Sequence, residues 1–155
     1  MTTDMQRVTQ DLLATAEFAY QRLRGRLRGL TDEEYFWEPA PGCWSIRRGE
    51  GGRYELDTSP MPMKPAPLTT IAWRLCHLID VLAGERNATW LGATPVGTLA
   101  RDGHPATAGA AIERLERAYE LFKGNIAAAG PDRLIQPMGE ISGPYARESR
   151  VAFVL

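Results

Sequence analysis

The chain has 155 residues, 18 cationic against 19 acidic side chains for a formal charge of -1, and 44% apolar residues, the profile of one globular domain with a core that needs no disulfide or metal staples. The near-zero charge removes the basic surplus on which nucleic-acid binding rests, and no run of 18 apolar residues exists to span a membrane. Met1 to Arg7 carries Asp4 and lacks the basic-then-apolar order of a signal peptide, so one cytoplasmic domain over 1–155 is expected.

Met5, Val8, Leu12, Ala16, Ala19, Leu23 and Leu27 recur at steps of three and four and predict a helix over about 3–28. Arg22, Arg24, Arg26 and Arg28 complement the negative end of its dipole, and Gly29 can cap it. Next, Thr31 and Glu34 have capping-box spacing and Leu30 and Tyr35 that of a hydrophobic staple, so a short helical turn starts at Thr31 and stops at Pro39. From Pro39 to Pro67 the chain holds 6 of its 11 prolines and several glycines, a long loop without internal helix. Trp44 and Ile46 are expected to be pinned into the core, and Trp37, Trp44 and Tyr54 lie where they could reach a ligand, although aromatics of this kind are more often core.

A second long helix is predicted over about 69–91, capped by Thr69 or Thr70, with apolar positions around most of its circumference, as in a central, flanked helix. His77 sits inside it with Asp80 on the same face, and a buried imidazole there needs a partner. Residues 92–103 read as a loop ending at His104, expected to be exposed. A third helix over about 106–129 carries Ala108, Ala111, Ile112, Leu115, Ala118, Tyr119, Phe122 and Ile126 on one face and ends at Gly130-Pro131. After an irregular link, a fourth helix starts at about 145. The chain then stops on the apolar run Val151 to Leu155, so the fold is expected to continue beyond it.

There is no glycine-rich phosphate loop, nucleophile elbow or HExxH pair. The two cysteines, Cys43 and Cys76, match neither a CxxC pair nor a zinc-knuckle spacing and are expected to be reduced, buried thiols. A catalytic Cys76 would need a base, and adjacent His77 points about 100° away on a helix. The histidines His77 and His104 remain.

The order of a long first helix, then Gly29-Leu30-Thr31-Asp32-Glu33-Glu34 with Trp37 and Pro39, then Gly42-Cys43-Trp44-Ser45-Ile46, then Ile71-Ala72-Trp73-Arg74-Leu75-Cys76-His77-Leu78-Ile79 with Glu85-Arg86, resembles the DinB-like superfamily of damage-inducible and thiol-transferase proteins. The resemblance covers nearly the whole chain. It implies an all-α four-helix bundle whose fourth helix is truncated here, commonly a homodimer, with a divalent metal such as zinc or nickel on three histidines. His77 stands at the position of the second-helix ligand, with Asp80 as an orienting partner behind it. The other two ligands would come from a pair four residues apart on the fourth helix, where this sequence departs from the pattern. Three imidazoles from facing helices would leave open positions for water or a thiolate. The implied activity is a metal-dependent thiol S-transferase or related hydrolase, with mycothiol as a thiol co-substrate. The alternative is a non-catalytic helical bundle acting by dimerisation or small-molecule binding, so whether the protein is an enzyme stays open at this point.

Overall fold

The computed structural model describes residues 2–92 and 103–151. The fold is predominantly helical, with a small two-stranded sheet. α1 (Thr2–Arg26) forms where the apolar stripe predicts a helix and buries Leu12 of that stripe together with Tyr20, while Val8 and Ala19 are exposed. α2 (Asp32–Phe36) starts in the expected capping box: Thr31 accepts from the Glu34 amide, and the Glu34 carboxylate accepts from the Thr31 amide at 3.0 Å.

The 39–67 stretch contains more order than its prolines suggest. β1 (Ile46–Arg48) and β2 (Tyr54–Leu56) form an antiparallel hairpin in which Ile46 pairs with Leu56 and Arg48 with Tyr54. Three-residue strands give too few positions for alternation to register, and in β1 only Ile46 is buried. The chain then returns past Trp44, whose amide donates to the Leu68 carbonyl at 2.8 Å while the Thr70 amide donates back to the Trp44 carbonyl.

The helix expected over 69–91 is two helices, α3 (Ile71–Ala83) and α4 (Glu85–Leu91). At Gly84 the backbone is extended (φ -62, ψ 142), ending one and opening the other. The Asp80 carbonyl lies 2.7 Å from where a Cβ at 84 would stand, so the close approach at the break requires glycine. Thr70 is the N-cap of α3: its hydroxyl accepts from the Trp73 amide and donates to Ser45 Oγ at 3.1 Å, with the residue 1% exposed. Thr70→Ala is expected to destabilise the protein by about 1–2 kcal/mol, since it removes the cap and leaves buried Ser45 without its donor. Thr70→Ser, which keeps both bonds, should recover most of that loss in urea unfolding.

α5 (Ala108–Leu134) is capped by Thr107, and its regular course ends at Gly130 (φ 69), as the glycine-proline pair predicts; one further turn then buries Leu134. It packs against both α1 and α3, whereas α1 and α3 hardly touch each other. Tyr20 of α1 stacks on Tyr119 of α5 at 3.8 Å between ring centres, and the Tyr119 hydroxyl donates to Glu17. The link beyond α5 includes a 3-10 stretch, Glu140–Tyr145, broken by Gly143 and Pro144. Helix resumes at Arg150, later than the 145 expected from the sequence, because Ser149 pairs with Pro137 first. Residues 93–102, most of the expected 92–103 loop, and 152–155 lie outside the described residues. No described helix is long and apolar enough to cross a membrane.

Candidate functional site

The two histidines exchange the environments expected of them. His104 is an interior residue, its side chain 11% exposed. Its backbone amide donates to the Tyr54 carbonyl at 2.8 Å, its Nδ1 lies 3.1 Å from the same oxygen, and its Nε2 lies 2.9 Å from Asp80 Oδ2. A carbonyl and an ionised carboxylate only accept, so both ring nitrogens must donate, which the imidazolium alone can do. The hydrogen bond donated to Asp80 accordingly raises the His104 pKa above the ordinary histidine value against the opposing effect of burial.

His104 belongs to a clasp on residues 103–108. Gly103 (φ 75) lies so close to the hairpin that a Cβ would stand 2.8 Å from Arg53 Cβ. Arg114 donates to its carbonyl, Tyr35 donates to the Pro105 carbonyl at 2.9 Å, and the Ala108 amide donates to Asp32 at 2.7 Å. α2, β2, α3 and α5 thus all hold the segment that leads into α5. Asp80, expected behind His77, works here instead: the imidazole brought to it is that of His104, while the His77 ring stacks on Trp73. Nothing local marks this clasp, whose partners lie 24 and 50 residues from His104 in sequence.

Cys76 and Cys43 are free and buried, as expected. The Cys76 thiol sits 3.3 Å from the Tyr35 hydroxyl, and burial pushes its pKa up to about 11. It therefore stays protonated at neutral pH and is no nucleophile. The Tyr35 hydroxyl is likewise pushed up by burial.

His77 is exposed rather than buried in the centre of a helix. Its ring stacks on Trp73 at 4.7 Å and 24°. Trp73 is itself held by donation from Nε1 to the Asp57 carbonyl at 2.8 Å, and Trp44 packs 5.7 Å from it. The row Trp44, Trp73, His77 presents an imidazole whose nitrogens have no hydrogen-bond partner among the described residues. Trp37 is 65% exposed and Tyr54 is half-buried beside Phe36.

A zinc or nickel centre of the implied kind needs three imidazoles, whereas the sequence has 2 histidines and those of His104 are both engaged. Among the described residues no three His, Cys, Asp or Glu side chains are grouped to hold an ion. The donor set described does not fit such a centre. Between α1 and α3, over α5, runs an apolar groove of about 180 Å³ lined by Ala16, Leu23, Leu78, Leu82 and Phe122 among others. Compared with protein-family models, curated proteins and solved structures, the chain shows no significant match.

Proposed function

We propose that the protein is a DinB-like helical domain that binds a small ligand on the His77 face of α3, without a metal centre built from its own described residues. The single observation carrying this reading is the exposed, uncommitted imidazole of His77, held in place by stacking on Trp73. Both ring nitrogens of His104 are bonded, whereas those of His77 have no hydrogen-bond partner among the described residues and are open to a ligand. The four-helix bundle belongs to the same proposal: the apolar groove between α1 and α3 is the seat for a fourth helix. In support, Val151 packs against the cluster of Leu12, Phe122 and Ile126, and Phe122 also lines the groove.

A second reading, a metal-dependent thiol S-transferase or hydrolase with His77 as one ligand and mycothiol as co-substrate, is favoured by the same uncommitted nitrogens, which are available for coordination. Quantifying zinc and nickel in the purified protein and in His77→Ala separates the two. The first reading expects no stoichiometric metal in either, and a stability change of about 0.5–1 kcal/mol from the lost ring contact. One metal ion per chain that disappears in His77→Ala would replace it with the second.

A further inference from the structure

We propose that Arg133 and Arg150 form a binding site for a small oxyanion, the phosphate or carboxylate group of a soluble metabolite, where α4, the end of α5 and the helix resuming at Arg150 meet. Arg133, in the last turn of α5, places its Nε 3.2 Å from the Trp90 carbonyl and its Nη2 3.5 Å from that of Thr89. It closes the C-terminal end of α4. Gly92 (φ 79) lets the guanidinium lie close to the backbone: a Cβ there would stand 2.5 Å from Cζ and push the side chain aside.

Arg150 is fixed by its backbone, whose amide donates to the Gln136 carbonyl at 3.0 Å. Its side-chain Nε and Nη1 are shut off from solvent and have no hydrogen-bond partner among the described residues. Among the described residues neither arginine forms an ion pair with an acid. Burial, and after it the charge of Arg133, lower the proton affinity of Arg150. A guanidinium nevertheless keeps its proton, so the site holds two positive charges in mutual repulsion, one of them with sheltered, unused donors. Sheltered charge without a partner is strongly unfavourable. An oxyanion relieves both terms at once, because it offsets the paired positive charge and accepts from guanidinium N–H groups.

The test is titration of the protein with sodium phosphate, and separately with sodium acetate, against sodium chloride at equal ionic strength, with Tm as the readout. The wild type is expected to gain about 5 °C or more over chloride at an anion concentration 100-fold above Kd. Arg150→Met should abolish that gain while leaving the Tm in chloride unchanged or higher, since it removes the unpaired charge. Arg150→Lys, which keeps the charge and loses the fork, should bind at least about tenfold more weakly, and it carries the test if the methionine variant does not fold. A gain with phosphate or with acetate that vanishes in these variants supports the site and assigns its anion. No gain with either anion, or an equal gain in the variants, overturns it. Neither readout depends on His77 or on metal content, so failure here leaves the ligand-binding proposal standing.

Discussion

Tyr35→Ala is expected to remove about 3–5 kcal/mol of stability, the range for deleting a fully buried aromatic ring. Tyr35 is 0% exposed and sits at the centre of the main core cluster, which joins α1, α3 and α5. Its ring packs edge-on against Phe36 at 4.8 Å, and its hydroxyl links the Pro105 carbonyl to the Cys76 thiol. Domains of this size have about 5–15 kcal/mol in total, so the variant should lie close to the edge of folding. Tyr35→Phe separates the two parts of the loss. It keeps the packing and strands the buried Pro105 carbonyl, which predicts about 1–3 kcal/mol. Urea unfolding of the three proteins checks the order: the alanine variant should have the lowest midpoint and the phenylalanine variant an intermediate one. Equal midpoints for wild type and Tyr35→Ala would contradict the packing described.

Local features of this fold were legible because their causes are local. The α1 helix, the face of α5 and the capping box at Thr31 depend on residues within one or two helical turns and stand where the spacing puts them, although Val8 and Ala19 of the α1 stripe are exposed. Gly84 was not legible, because Val81 and Leu82 before it and Trp90 and Leu91 after it read as one continuous apolar pattern. The hairpin was hidden for the opposite reason, since Arg47 and Arg48 are both exposed and break any alternation. The histidines show the deeper limit. Periodicity makes α3 apolar on most sides, from which burial of His77 follows only if every side is covered. α1 and α3 hardly meet, and the fold leaves part of α3 facing solvent. His104 looked like a loop residue between glycine and proline, and its burial is created by Asp80 and the Tyr54 carbonyl, neither of which is near it in sequence. Spacing can place a side chain on a helix face, but what covers that face is decided by tertiary packing.

Removing Asp80 is expected to cost about 1–2 kcal/mol at pH 6 and little at pH 9. The His104 pKa is raised on folding, chiefly by its hydrogen bond to Asp80, so the folded state holds the imidazolium proton more tightly than the unfolded chain does. The stabilisation is therefore complete below the ordinary histidine value of about 6.5 and fades as pH climbs through the higher folded value. Bonds to charged groups contribute about 1.5–3 kcal/mol when buried, and the 35% exposure of the Asp80 side chain moves the expectation to the lower figure. The wild-type Tm is expected to fall between pH 6 and 9, and Asp80→Ala and His104→Ala should each flatten that fall equally. The double variant should add little to either single one, because the two residues act as a pair. The ring proton resonances of His104 give an independent reading, with a titration midpoint above 6.5 in the wild type that drops in Asp80→Asn. A wild-type midpoint below that value would mean that one of the two ring nitrogens does not donate, and the Tyr54 carbonyl or the Asp80 carboxylate would then lack the hydrogen that the 3.1 and 2.9 Å contacts require.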